Sequence, residues 1–249
     1  MLDPEEERAV AEQFGVASAQ VRRDHLISHL LAILSDEFAD QVLFFGGTAL
    51  SRSFAPDGRL SEDIDLIALT SRTKLAEQLE QIFRRRTRRE FPGLRWEPPL
   101  TRVRDTEPAV LISADGLTVR VQLLNRTGYP PWPTAPHALV QRYSDTPTAT
   151  LTVPTIESFA AWKTAAWLDR AAPRDLYDLW LLAGLGALNQ EAAALFRKLG
   201  PTNKPPHPSA FTRAPGEDRW QRELSGQTRL TITADEARAV VASTWDQVR

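Results

Sequence analysis

The chain has no cysteine, which removes disulfides, zinc–thiolate centres and cysteine nucleophiles from consideration. Histidine is scarce too: His25, His29, His137 and His207 are the full set, without zinc-ligand spacing. His25 and His29 stand four apart in a helical pattern but lack the glutamate of a metalloprotease motif, so they read as structural. No apolar run approaches the roughly 20 residues of a membrane span. The stretch Met1 to Glu12 is too charged for a signal peptide, so a cytoplasmic protein with no membrane contact is expected. Neither sign of charge dominates. With 30 basic and 32 acidic side chains the net charge is −2 and the pI near 6.1, so no global field draws the chain to nucleic acid. At 249 residues it can bury a full core, as one compact unit or two closely joined subdomains.

What is present concentrates between Phe44 and Leu69. Val42 to Phe45 has the apolar and aromatic pattern of a buried strand and stops at Gly46-Gly47. Paired glycines permit a tight turn and close approach to a ligand. Thr48 to Arg52 can then open a short helix whose unpaired amides suit an anion, so Gly46, Gly47, Thr48 and Arg52 are candidate triphosphate contacts. After a loop from Ala55 to Leu60, Asp63-Ile64-Asp65-Leu66-Ile67 resumes a strand. Period-two geometry puts Asp63 and Asp65 on one face and turns Ile64 and Leu66 to the core. Adjacent carboxylates repel unless a cation lies between them, and Mg²⁺ takes oxygen from one or two carboxylates plus substrate phosphates. Ser61, two residues before Asp63, stands at the rim of this site, where phosphorylation would place a competing dianion.

A second block lies further on. Pro154 to Asp169 reads as a helix capped by Thr155, with Lys163 among Phe159, Ala160, Trp162, Ala166 and Trp167. An isolated lysine in such company usually snorkels to water. Pro173 starts the next helix, which places Asp175 and Asp178 on adjacent turns of one face.

Taken together, Gly46-Gly47-Thr48, Arg59-Leu60-Ser61-Glu62-Asp63-Ile64-Asp65-Leu66, Lys163 and Arg174-Asp175-Leu176-Tyr177-Asp178-Leu179 resemble the AbiEii/AbiGii nucleotidyltransferase toxins. These are the toxin halves of type IV toxin–antitoxin systems, within the DNA polymerase β-like superfamily; MenT toxins are of this kind. The resemblance spans roughly residues 40 to 185. It implies an α+β fold, a polymerase β-like core with a mixed sheet followed by a helical C-terminal subdomain. It further implies an NTP substrate with Mg²⁺ or Mn²⁺ on Asp63 and Asp65, and transfer of NMP to an RNA, with the tRNA 3′ end as acceptor. By the same resemblance Lys163 holds nucleotide phosphates, Asp178 completes the polar site, Asp175 is a weaker candidate, and a cognate antitoxin is a partner. Many polymerase β-like enzymes add a third carboxylate from a later strand. Here Leu117 to Leu124 offers Arg120 and Gln122 instead, leaving the second metal position and the general base unassigned.

Ser71 to Glu90 reads as a helix with Leu75, Leu79, Ile82 and Phe83 inward, carrying Arg84, Arg85, Arg86, Arg88 and Arg89. Such a cluster suits a phosphate backbone, and Tyr129 and Trp132 are candidates for base stacking. The plain alternative is a solvated helix end. Two other function classes share the first block: a small-molecule, aminoglycoside-type nucleotidyltransferase, and a non-catalytic RNA- or partner-binding protein of the same fold. Ser18 to Phe38 is expected as an amphipathic helix, Ala109 to Ser113 and Leu117 to Leu124 as strands, and Thr127 to His137 as an irregular, substrate-facing loop. A proline-rich interruption from Pro201 to Gly216 precedes a final helix from Asp235. The expected division lies near residue 150, with a mixed α/β catalytic part (1–150) and a mainly helical part (151–249) that completes the cleft.

Overall fold

The computed structural model describes residues 1–248, which form two compact units. The first comprises Met1–Tyr129 and Ala135–Val153; the second comprises Pro130–Thr134 and Pro154 onward.

In the first unit, α1 (Pro4–Phe14) is capped by Asp3, whose carboxylate accepts from the Glu5 amide at 2.7 Å. Helix α2 (Ser18–Phe38) is buried on nearly every side, where a single apolar stripe was expected. Next come β1 (Val42–Phe45), α3 (Gly46–Ser53), β2 (Asp63–Ala68) and α4 (Arg72–Arg86). Then follow β3 (Arg95–Trp96), β4 (Ala109–Ile112), β5 (Thr118–Asn125), β6 (Thr134–Leu139) and β7 (Ala149–Pro154). The main sheet is mixed, in the order β1-β2-β5-β4-β3; only the β2–β5 pair is parallel. Helices α2 and α4 pack against each other and against β5. Leu30 and Leu34 of α2, Leu75, Leu79 and Phe83 of α4, and Val119, Val121 and Leu123 of β5 are thereby sealed from solvent. Each such side chain contributes about 1.5–3 kcal/mol through removal from water. The stretch expected to be an irregular loop contains β6, which pairs with β7 in a separate two-stranded ribbon.

The second unit is helical: α5 (Ile156–Arg170), α6 (Pro173–Gly184), α7 (Gln190–Leu199), α8 (Glu217–Leu224) and α9 (Ala234–Gln247). Thr155 caps α5, and Pro173 occupies the first turn of α6, as the residue types dictate. A capping box between Thr233 and Glu236 opens α9. Helix α5 packs on α6 and α7, while α6 packs on α8 and α9, burying Trp220 and Trp245. Trp132 belongs to this core. It stacks on Trp162 with ring centroids 6.0 Å apart and packs with Ala161 and Phe196. The expectation of an exposed stacking platform at Trp132 is therefore corrected, because burial removes its faces from any base.

Candidate active site

The first unit assembles a cradle where β1 gives way to α3. Gly46 has φ +81°, a conformation L side chains rarely adopt, and a Cβ there would collide with Asp65 Oδ2. A Cβ on Gly47 would collide with Arg59 Nη2 and sit 3.4 Å from Ser61 Oγ. Gly46 is thus demanded by its backbone and by Asp65, while at Gly47 the end of the Arg59 side chain would have to shift. The Thr48 hydroxyl donates to the Asp63 carbonyl, tying the first turn of α3 to β2. Ser61 and Arg59 are buried beside this turn.

On β2, Ile64 and Leu66 face the core while Asp63 and Asp65 alternate with them on a half-buried face, as the period-two pattern requires. Arg120 of β5 is the register partner of Asp63 and binds it at two points, with Nε 2.7 Å from Oδ1 and Nη2 3.1 Å from Oδ2. That hydrogen bonding to Asp63 holds the Arg120 pKa above its ordinary value, overcoming partial burial. Gln122, the partner of Asp65, donates through Nε2 to the Asp105 carbonyl at 3.3 Å. Asp105 itself accepts from Asn125 Nδ2 at 2.7 Å, which keeps its carboxyl below the usual range. Burial raises the Tyr129 hydroxyl pKa, and the charges of Asp105 and Asp65 raise it further. Arg59, Arg120 and Asp105 are thus site neighbours that the sequence did not single out as site residues. For Asp105 no local pattern marks the loop that carries it, whereas Arg59 lies inside the motif block.

Arg52 departs from expectation. Its side chain is 0% exposed, paired with Asp24 Oδ1 at 2.8 Å and donating to the carbonyls of Asp24 (3.0 Å) and Val140 (2.9 Å). Burial lowers its pKa to about 10, against the opposing charge of Asp24. Arg52 is a buried brace of the scaffold, and it is corrected from a phosphate contact to a structural residue.

The second unit contains a separate buried ionic cluster. Lys163 Nζ lies 2.7 Å from Asp178 Oδ2 and 3.2 Å from Asp175 Oδ1. Arg170 closes on Asp175 through Nε (2.6 Å to Oδ2) and Nη2 (2.9 Å to Oδ1). Lys163 therefore turns inward rather than snorkelling to water. Asp175 and Asp178 are buried. Burial alone would raise the Asp175 pKa, but the Lys163 charge and the Arg170 hydrogen bond bring it below the ordinary carboxylate value.

The arginine cluster divides. Arg84, Arg85 and Arg88 line a groove of about 540 Å³ with Gln81, Phe91 and Leu94. Arg86 turns to α2 and pairs with Asp36 (2.8 Å) and Glu37. Arg89 is exposed.

Two carboxylates on successive same-face positions of a strand, facing a glycine turn at a helix start, form a hard-oxygen donor set. The chain matches the family model of the nucleotidyl transferase AbiEii toxins of type IV toxin–antitoxin systems over residues 29–247. It belongs to the AbiEii nucleotidyltransferase toxin family. No curated protein matches this AbiEii-family chain. Among solved structures it is similar to MenT4, a nucleotidyltransferase toxin from Mycobacterium tuberculosis H37Rv. That pair has 19% identity and a TM-score of 0.66, covering 96% of this chain and 88% of the other. It is also similar to a candidate nucleotidyltransferase from H. pylori, at 14% identity and a TM-score of 0.57, covering 94% and 96%. At these identities the likeness carries the fold, and the family match carries the activity class: a nucleotidyltransferase, whose type IV system implies an antitoxin partner. Among the described residues no helix is long and apolar enough to cross a membrane.

Proposed function

We propose that this protein transfers a nucleoside monophosphate from an NTP to a hydroxyl at the 3′ end of tRNA in the cytoplasm, blocking aminoacylation and hence translation. The observation that carries the reading is the contact between the glycine turn and the carboxylate strand, in which Gly46 leaves room for Asp65 and Gly47 for Arg59. A triphosphate is held by the amides of Gly46, Gly47 and Thr48, and the buried guanidinium of Arg59 beside them adds fixed positive charge. Asp63 and Asp65 would hold Mg²⁺ or Mn²⁺, to which their oxygen donors are suited. Bound there, the ion would supply charge neutralisation at the phosphates. The acceptor oxygen bonds to the α-phosphorus, the bond from that phosphorus to the bridging oxygen of the pyrophosphate breaks, and the hydroxyl proton is lost to water. Positioning and electrostatics do the work, with no covalent intermediate on the protein.

The assignment of Lys163 to the nucleotide phosphates, and of Asp178 to completing the polar site and orienting the lysine or the substrate, rests on the family resemblance. Arg84, Arg85 and Arg88 would hold the RNA backbone along their groove. The direct test incubates the protein and its Asp65→Ala variant with Mg²⁺, total tRNA and each labelled NTP, followed by a denaturing gel. Label entering tRNA with the parent only is the expected result. Folded parent protein that labels no RNA with any NTP would overturn the reading.

A further inference from the structure

His25 and His29 stand one turn apart on α2, and both point their Nε2 atoms at the same carboxylate. His25 Nε2 lies 2.9 and 3.1 Å from the two oxygens of Asp145, His29 Nε2 lies 3.6 Å from Asp145 Oδ2, and the two Nε2 atoms are 3.2 Å apart. Three Lewis-basic groups thus converge on one small space from two separate parts of the first unit. We propose that His25, His29 and Asp145 form a binding site for a borderline divalent transition ion such as Zn²⁺ or Co²⁺, distinct from the Asp63–Asp65 pair.

The spacing fits the chemistry. Metal–ligand bonds of about 2.0–2.2 Å separate ligands by roughly 3.3 Å in a tetrahedron and roughly 2.9 Å in an octahedron. Among His25 Nε2, His29 Nε2 and Asp145 Oδ2 the separations are 3.1, 3.2 and 3.6 Å, close to the tetrahedral value, so a metal needs only small rotations of the three side chains. Two imidazoles with one carboxylate also select against Mg²⁺ and Ca²⁺, which prefer oxygen alone, and favour zinc, cobalt, nickel or copper.

The rings are oriented by packing. His25 meets Tyr143 edge-on at 5.0 Å, and His29 meets Phe91 edge-on at 5.4 Å. These aromatics leave the Nε2 edges facing Asp145. Burial and the neighbouring His25 lower the His29 pKa against the opposing charges of Asp145 and Glu90. Burial would raise the Asp145 pKa, but hydrogen bonds from the Met1 amine and with His25, together with the histidine charges, bring it to about 2. His29 and Asp145 also line a cavity of about 510 Å³, with Asp36, Arg86, Glu90 and Thr148 among its other walls. Solvent can therefore reach the ion and fill the remaining coordination positions. An ion there would clamp α2 to the segment between β6 and β7, a structural role that needs no nucleotide.

The test titrates Co²⁺ into the chelator-treated, nucleotide-free protein in an Asp63→Asn/Asp65→Asn background, which removes the competing oxygen site. Visible d–d absorption is recorded alongside calorimetry. The expected result is saturation at one equivalent, displacement by Zn²⁺, and a rise in Tm of roughly 5 °C at saturation. His29→Ala should lose at least tenfold in affinity, and His137→Ala should not change it. If His29→Ala fails to fold by circular dichroism, His29→Gln and Asp145→Asn take its place. Absence of saturable Co²⁺ binding by the folded parent, or equal binding by the folded His29 and Asp145 variants, would overturn the site. Neither result depends on nucleotidyl transfer.

Discussion

Arg120 clasps Asp63 at two points, with Nε 2.7 Å from one carboxylate oxygen and Nη2 3.1 Å from the other. Parallel pairing of β2 with β5 sets the two residues opposite each other, so the contact follows from sheet register rather than sequence proximity. It gives one of the proposed metal ligands a cation of its own. Arg120 thus does by charge, at the end of the strand pair, part of what a divalent ion would do there.

Arg120→Gln should bind Mn²⁺ up to about fivefold more tightly in the nucleotide-free state, since a competing cation worth about 1 kcal/mol or less is removed. Calorimetric titration checks this. Because Arg120 is about half exposed, with 48% side-chain accessibility, its loss should cost little stability. Weaker Mn²⁺ binding would instead mean that Arg120 positions Asp63 for the ion.

Gly46→Ala should destabilise the protein by about 1–3 kcal/mol, because it forces a side chain into a positive-φ position and against Asp65. Label transfer to RNA should fall by orders of magnitude even in the folded fraction, since the carboxylate must move. Gly128→Ala carries the same backbone strain, at φ +93°, with open space around its Cβ. It should lose stability while leaving transfer in the folded fraction near parental. Urea denaturation and the tRNA gel together separate the two effects.

Lys163→Met leaves Asp175 and Asp178 buried without their shared cation, a loss on the order of 3–5 kcal/mol. A toxicity assay on this variant alone would confuse folding with catalysis, so its urea midpoint must be measured beside its activity. Lys163→Arg, which retains the charge, should recover much of the stability.

Asp175 links this cluster to pH. Its folded-state pKa lies below the ordinary 3.8, chiefly because the Lys163 charge and Arg170 overcome burial. The unfolded chain therefore binds the proton first on acidification. The stabilising contribution is complete above the unfolded value and is lost as pH falls through the lower folded value. Asp175→Asn should flatten the pH dependence of the urea midpoint below about pH 4, while reducing stability at neutral pH.

Replacing Arg84, Arg85 and Arg88 together by alanine should weaken tRNA binding and reduce the slope of log K against log salt by about 2–3, one unit per lost phosphate contact. Arg86→Ala should leave that slope unchanged, because Arg86 is engaged by Asp36 and Glu37. Filter binding across a salt series distinguishes them.

Much of the fold was legible because its signals are local. Helix α2 runs over Ser18–Phe38 as its pattern indicates, and Asp63 and Asp65 alternate with buried Ile64 and Leu66 because a strand has period two. The paired glycines mark the turn, and Thr155 and Pro173 mark helix starts, because each residue type has one backbone preference that its neighbours need not supply. The family motif rests on these same positions.

Partners distant along the chain were not legible. Trp132 sits among prolines and reads as a loop aromatic, yet Trp162 and Phe196 enclose it. Arg52 follows the glycine turn and reads as a phosphate ligand, yet Asp24 draws it inward. Lys163 would ordinarily reach water but is held by Asp178 and Asp175 across a helix pair. Likewise, the His25–His29 pair acquires its third group only when the segment before β7 brings Asp145 to it. Short-range preferences determined the strands, the turns and most of the helices. Tertiary packing alone decided which charged side chains pair and which aromatics are buried, because an ion pair or a ring stack depends on a partner whose position only the folded chain defines.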